Sequence, residues 1–245
     1  MNWKGLSMGL HQIAQDCYNK PQGEEGNAME LADLEKLIKT RRSIRRWQDK
    51  KVPEELLLKA IEIATWAPNG GNQQNWRFYV VVNRATIKAM ADAVQASADL
   101  MASWPEAEKF GMGASGQRRR AGFFDMAPAA IVVGATQYQS PVDQVFAARE
   151  KTDPQAARMR QYRNVVDSRI QSVASAIAHL LLVLHQMGLG AVWMTGPTQA
   201  KDELEKILKV PPGMDIIAFI PVGYPDEEPP SRGRKPVSEV SEVIR

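Results

Sequence analysis

The chain has 245 residues, 44% of them hydrophobic and 24% charged, with a formal net charge of +3 at pH 7. This composition is typical of a globular protein with one large domain or two small ones, and the near balance of charges argues against nucleic acid as the main partner. The single cysteine, Cys17, excludes an intrachain disulfide. The sequence shows no apolar run of membrane-spanning length and no secretory leader. We therefore expect a cytoplasmic protein without a membrane partner.

Two stretches lack the regular spacing of a folded core. Residues 1–28 are weakly patterned and are interrupted by Pro21, Gly23 and Gly26, so we expect an N-terminal accessory arm there. Residues 137–163 are polar and rich in arginine, which favours an insertion or a mobile lid. The main domain is therefore expected to cover residues 29–245.

The first half of this domain mixes helices and strands. Its apolar spacing and its proline positions predict the following elements: a helix with Leu31, Leu34, Leu37 and Ile38 on one face, a second helix that begins at Pro53 and is stopped by Pro68, a strand at residues 77–82, a helix at residues 85–100 and a strand at residues 129–135.

The second half contains the clearest helix, at residues 165–187. An apolar stripe runs along it, and small residues occupy several of its other sides, so we expect it to be buried around most of its girth at a subunit interface. A strand at residues 190–195, a helix at residues 199–208 and a strand at residues 216–222 follow. The tail carries Val237, Val240 and Val243, a spacing typical of a segment that lies against another surface. The alternation fits a doubly wound parallel sheet or an α+β sheet equally well.

Four segments are candidates for binding or chemistry. Residues 111–116 (GMGASG) have the glycine spacing of a dinucleotide fingerprint, but no strand precedes them, which favours a flexible loop. Residues 41–46 (RRSIRR) are either a solvated basic patch or an anion site, because guanidinium and hydroxyl groups suit phosphate oxygens. Residues 67–76 (APNGGNQQNW) combine glycines with amides that suit a planar heterocycle. Residues 232–236 (RGRKP) are a second basic run.

Together these segments resemble the FMN-dependent nitroreductase family. The resemblance rests on RRSIR, the proline-led loop APNGGNQQNW, the segment GLGAVWMTGP at residues 188–197 and RGRKP, in that order, and runs from about residue 29 to the C-terminus. It implies an α+β fold with a mostly antiparallel sheet flanked by helices, and an intertwined homodimer that holds FMN at its interface. It also implies a ping-pong cycle, in which NADH or NADPH reduces FMN and the flavin then reduces an acceptor.

The resemblance also implies roles for individual residues. The expected contacts to the FMN phosphate and ribityl chain are Arg41, Arg42, Ser43, Arg232 and Arg234. The expected contacts to the flavin ring are Arg45 near N1 and the C2 carbonyl, Pro68, Asn69, Gly70 and Asn72 along the ring, and Met194, Thr195 and Gly196 near N5 and O4.

No catalytic side chain is expected, because hydride would pass between flavin N5 and a stacked ligand. No metal site is expected either, since His179 and His185 lie six residues apart on one helix and do not share a face. The expected activity is reduction of nitroaromatic or quinone-like acceptors. The alternatives are other chemistry on the same fold, such as dehalogenation, desaturation or flavin cleavage, and a non-enzymatic polyanion-binding module. The long arginine-rich stretch and the N-terminal arm leave the substrate open.

Overall fold

The computed structural model describes residues 30–113, 121–136 and 140–245. The expected arm at residues 1–28 lies outside these residues, as do residues 114–116 of the glycine-spaced segment and residues 137–139 of the expected insertion. The chain divides between Lys36 and Leu37 into two units. Apart from residues 31–36, which begin the first helix, the elements described below belong to the second unit, residues 37–245.

Helices and strands are interspersed along the described residues. The helices are α1 (Leu31–Thr40), α2 (Glu54–Ala64), α3 (Arg84–Ala102), α4 (Pro105–Lys109), α5 (Pro141–Arg149), α6 (Pro154–Val166), α7 (Ser168–Gln186), α8 (Lys201–Leu208) and α9 (Val237–Val240). The strands are β1 (Trp76–Val81), β2 (Ala129–Thr136), β3 (Gly190–Ala191) and β4 (Met214–Gly223). Among the described residues no helix is long and apolar enough to cross a membrane.

The four strands form one antiparallel sheet in the order β1-β2-β4-β3. This arrangement confirms the α+β fold and excludes the doubly wound parallel sheet. Strand β2 is buried from Ala129 to Ala135, because helices cover both faces of the sheet. Sequence periodicity could not decide between the two folds, since a strand that is buried on both faces has the same continuous apolar pattern in either.

One face of the sheet packs against α2 and α7, and the other packs against α3 and α8. Ile131 and Val133 of β2 belong to the first cluster, and Val132 belongs to the second, as the alternation of a strand requires. The register between β2 and β4 shifts so that Ile217 is the extra residue of a β-bulge. Helix α7 is therefore fixed on the sheet, where it can position groups at both of its ends.

Two sequence predictions are wrong at these elements. The helix expected at residues 165–187 is two helices, because Asp167 adopts a left-handed conformation with φ of 34° and its carboxylate caps α7 by accepting from the backbone N–H of Ile170 at 3.2 Å. The strand expected at residues 190–195 is limited to Gly190–Ala191, and beyond it only Met194 makes an isolated bridge, to Phe219.

The described part of the arginine-rich stretch folds into a hairpin of α5 and α6. Ser140 and Asp143 form a capping box at the start of α5, and Asp143 also pairs with Arg163 at 2.6 Å. Arg160 pairs with Glu150 at 2.9 Å. The hydrogen bond from Arg163, followed by the one from Ser140, holds the pKa of Asp143 well below its ordinary value. Several of the arginines thus join the two helices of the hairpin.

Two surfaces relevant to the expected interface are open within one chain. On α7, Ala178 is exposed and Ala174 and Ser175 are only half-buried, so the described chain leaves one side of this helix uncovered. The tail valines Val237 and Val243 are 69% and 74% exposed. The dimer remains a prediction.

Candidate functional site

The basic segment, residues 41–46, lies along the edge strand β3. Ser43 forms a parallel bridge with Ala191, and the backbone N–H of Ile44 donates to the carbonyl of Ala191 at 3.1 Å. The indole N–H of Trp47 donates to the carbonyl of Gly190 at 2.9 Å. A Cβ on Gly190 would lie 2.7 Å from Cγ1 of Ile44, so the segment packs directly on a glycine backbone. These contacts fix its position on the sheet.

A cluster of cations lies at this segment. Burial lowers the pKa of Arg41 below its ordinary value, and the charges of Arg42 and Arg234 lower it further. Burial and the charges of Arg41 and Arg42 also lower the pKa of His185, whose Nε2 lies 3.0 Å from Oγ1 of Thr40. Among the described residues no carboxylate pairs with Arg41, Arg42 or Arg234. Such a cluster favours a bound anion, because an anion would relieve the mutual repulsion of these groups.

The other expected basic residues have different surroundings. Arg45 is half-buried, and its guanidinium donates to the backbone carbonyl of Ser43 at 3.3 Å. Arg234 is exposed, and its charge is one of the causes that lower the pKa of Arg41. Arg232 is exposed.

The amide-rich loop is held in a strained conformation near the start of α7. Gly71, Asn72 and Gln74 have positive φ values of 61°, 52° and 46°, a region that glycine and asparagine tolerate better than other residues. The backbone N–H of Gly70 donates to Oγ of Ser172 at 3.1 Å. Asn69 accepts from the backbone N–H of Gln74 at 2.9 Å.

The expected contact residues of this loop differ in exposure. Pro68, Gly70 and Asn72 are exposed, whereas Asn69 is half-buried. The buried Asn75 donates to the carbonyl of Arg169 at 3.4 Å. Thus one end of the loop is anchored on α7, and its tip remains accessible to a ligand.

The segment after β3 presents exposed backbone. Met194 exchanges two backbone hydrogen bonds of 2.9 Å with Phe219, which fixes it on β4. Thr195 and Gly196 follow it and are exposed, and a Cβ on Gly196 would meet no atom within 4 Å. Since Thr195 is only four residues from Ala191, the segment lies within about 13 Å of the residue that pairs with Ser43.

One chain does not bring all of these residues together. The amide-rich loop contacts Ser172 near the start of α7, whereas His185, near its end, contacts Thr40, and the charges of Arg41 and Arg42 lower its pKa. The thirteen residues between them correspond to a rise of about 20 Å. The basic residues thus lie near one end of the helix, and the loop lies near the other.

Sequence reasoning missed three residues that hold these segments. From the sequence, Ser172 is only one of the small residues of the helix expected at residues 165–187, and His185 is only an unsuitable metal ligand. Glu227, whose carboxylate contacts the basic segment, belongs to none of the candidate segments of the sequence. No sequence signal could have found Glu227, because its partners lie about 180 positions away along the chain.

The structure is thus an α+β fold with an antiparallel sheet between two helical layers, in which the amide-rich loop lies near the start of α7 and the basic residues lie near its end. The model of the nitroreductase family matches residues 38–224. The chain therefore belongs to the nitroreductase family.

The chain is similar to named relatives and to solved structures over most of its length. An NADH dehydrogenase of Thermus thermophilus is 28% identical, over 82% of this chain and 90% of its own. An iodotyrosine deiodinase of Thermotoga neapolitana is 27% identical, over 82% of this chain and 93% of its own. Among solved structures, a BluB-like flavoprotein of Clostridium difficile has a TM-score of 0.73 at 26% identity, covering 89% of this chain and all of that one.

Proposed function

We propose that this protein is an FMN-dependent oxidoreductase that uses NADH or NADPH to reduce nitroaromatic or quinone-like acceptors. The observation that carries the proposal is the basic segment bonded to β3, where Arg41 and Arg42 lie together and the charge of Arg234 also lowers the pKa of Arg41. A phosphate monoester carries close to two negative charges at neutral pH. It would offset the repulsion within this cluster and accept hydrogen bonds from several guanidinium groups.

The remaining residues fit the other parts of FMN. Ser43 would add a hydroxyl donor to the phosphate, and Arg232 would join Arg234 when the ligand is bound. The loop residues Pro68, Asn69, Gly70 and Asn72 would line the flavin ring, and Met194, Thr195 and Gly196 would lie near N5 and O4. The exposure of most of the loop and of residues 195–196 supports this assignment.

The distance along α7 supports a site that is shared between two chains. Ser172, which contacts the loop, and His185, which the arginines influence, are separated by a rise of about 20 Å along α7, so a second copy would bring its loop to the basic residues of the first. The uncovered side of α7 at Ala178 and the exposed valines of the tail are apolar surfaces that such a copy would cover. We therefore propose a homodimer.

Bound FMN would supply hydride acceptance and donation at N5, and the chain would supply binding, orientation and charge. Arg45 would stabilise negative charge at the N1 and C2 carbonyl end of the ring. For unit charges 4 Å apart at an effective dielectric constant of 20, this attraction is about 4 kcal/mol. Thr195 and Gly196 would leave the N5 region open, because neither presents a bulky side chain.

A second candidate activity is reductive dehalogenation on the same flavin. It is favoured by the relative named as an iodotyrosine deiodinase, which this chain matches over most of both lengths. The hairpin of α5 and α6 would then act as a lid over an aromatic substrate.

The proposal also includes a main domain at residues 29–245, an accessory arm at residues 1–28 and a cytoplasmic location.

The test begins with protein that is purified without added flavin. Yellow protein that releases FMN on denaturation is expected, and replacing Arg41 and Arg234 together with alanine should abolish FMN retention. Replacing the exposed Lys59 and Lys206 with alanine removes the same charge elsewhere and should leave FMN content unchanged. Unaltered FMN content in the double arginine variant would contradict the phosphate site.

The reaction is tested by oxidation of NADH and NADPH in the presence of nitroaromatics, quinones or halophenols. Acceptor-dependent turnover with nitroaromatics or quinones supports the first proposal. Halide release from halophenols, without reduction of the other acceptors, would support dehalogenation. FMN binding without either activity would contradict both.

A further inference from the structure

The C-terminal tail is joined to the basic segment by a short antiparallel pairing. Trp47 bridges Pro225, the backbone N–H of Gln48 donates to the carbonyl of Tyr224 at 3.0 Å, and the backbone N–H of Asp226 donates to the carbonyl of Arg46 at 3.0 Å. These contacts stop one residue before Glu227. From there a carboxylate, rather than the backbone of the tail, continues the attachment.

The Glu227 carboxylate accepts from two successive backbone N–H groups of the basic segment. Its Oε1 accepts from the N–H of Arg45 and, at 3.1 Å, from the N–H of Arg46. Its Oε2 lies 3.4 Å from Nε of Arg46. The Glu227 side chain is only 16% exposed, whereas that of Arg46 is 70% exposed. The carboxylate is thus bound mainly by the backbone, and the contact differs from an ordinary surface ion pair.

The Glu227 contact opposes the repulsion between the arginines of the tail and those of the basic segment. Arg234 lies seven residues after Glu227, and its charge lowers the pKa of Arg41, as does that of Arg42. Without an anion present, like charges push the tail away from the basic segment. Hydrogen bonds to an ionised carboxylate are stronger than neutral ones, so Glu227 is placed to resist that separation.

We propose that Glu227 is a positioning residue that holds the tail on the basic segment, so that Arg234 and Arg41 face the same phosphate. This inference rests on the proposed function, because the phosphate is that of FMN. Glu227 acts through the backbone of Arg45 and Arg46 and does not itself touch the flavin.

The sign of the effect separates positioning from simple electrostatics. A carboxylate near a phosphate repels it, so removing that carboxylate should strengthen FMN binding if charge alone mattered. If Glu227 positions the arginines, the same change weakens FMN binding. Glu228 is the matched control, since it is adjacent, exposed and carries the same charge.

The experiment measures dissociation constants for FMN and riboflavin on the full-length apoprotein. For Glu227→Ala, the FMN dissociation constant is expected to rise about tenfold or more, and for Glu227→Gln, which keeps a neutral acceptor, by less. Riboflavin lacks the phosphate, so its affinity should change less. Glu228→Ala should bind FMN as well as the unmodified protein, or slightly better.

Hydrogen exchange without flavin supplies a second measurement. The amides of Arg45 and Arg46 should exchange faster in Glu227→Ala than in Glu228→Ala, with the rest of the sheet unchanged. This comparison also separates a local effect from failure to fold, and Glu227→Gln keeps the test available if the alanine variant is unstable.

The outcomes distinguish the two levels of the proposal. If the unmodified protein binds FMN and Glu227→Ala binds it equally or more tightly, the role of Glu227 is overturned and the proposed function stands. Equal losses for FMN and riboflavin would also overturn it, because the effect would not involve the phosphate. If the unmodified protein binds no FMN, the proposed function is overturned and this role with it.

Discussion

Replacing Gly190 with alanine perturbs the contact between the basic segment and the sheet. The new Cβ would lie 2.7 Å from Cγ1, 2.8 Å from Cβ and 2.9 Å from Cγ2 of Ile44. Ile44 is buried and branched at Cβ, and its own N–H is bonded to Ala191, so it cannot turn away without moving the backbone. Overpacking of this kind costs about 1–3 kcal/mol.

Urea unfolding of the apoprotein measures this cost as a lower transition midpoint with an unchanged slope. The cost should be smaller in an Ile44→Ala background, which removes two of the three contacting atoms, so the two substitutions should couple in a double-mutant cycle. FMN affinity should fall in parallel, because Ser43 and Arg45 flank Ile44. An unchanged midpoint in Gly190→Ala would refute the close packing of the basic segment on β3.

Three further substitutions test other parts of the structure. Leu180→Ala, in the fully buried face of α7, should destabilise the protein by about 2–5 kcal/mol in urea unfolding, and a smaller loss would mean that the core collapses around the cavity. Ser172→Ala removes the acceptor for Gly70 N–H and should weaken binding of both FMN and riboflavin. Ser175→Ala, on the same helix, should weaken binding less. Equal dissociation constants for the two variants would exclude the anchor at Ser172. Asp215→Asn should cost about 1–2 kcal/mol at neutral pH, because hydrogen bonds from Lys201 and Arg169 hold the pKa of Asp215 below its ordinary value of 3.8. A carboxylate whose pKa is lowered by folding stabilises the protein fully above its ordinary pKa, and this stabilisation is lost as the pH falls below that value. The difference in the free energy of unfolding between Asp215→Asn and the native protein should therefore shrink on acidification. A difference that stays constant with pH would contradict the ion pairs.

The core strands could be predicted from the sequence because their side chains report burial directly. Strand β2 is expected at residues 129–135 and occupies Ala129–Thr136. Strand β4 is expected at residues 216–222 and occupies Met214–Gly223. The break before α7 could not be predicted, since Val165 and Val166 continue an apolar pattern across it. The break depends on the left-handed backbone of Asp167.

The sequence predicts which segments belong to the candidate site, but it does not predict how these segments are positioned relative to one another. Paired guanidinium groups and a neighbouring serine fit either a solvated basic patch or an anion site, and the lowered pKa of Arg41 favours the second. The separation of the amide-rich loop from the cluster depends on which end of α7 each contacts. Contacts such as Gly70 with Ser172 join residues about 100 positions apart, and periodicity carries no information about them.

Native mass spectrometry of the protein, purified without added flavin, tests most directly whether two chains complete one type of flavin site. The expected species contains two chains and two FMN molecules, and it should lose FMN when Arg41 and Arg234 are both replaced with alanine. A single chain that retains FMN, or a pair of chains that binds none after incubation with excess FMN, would contradict the proposal.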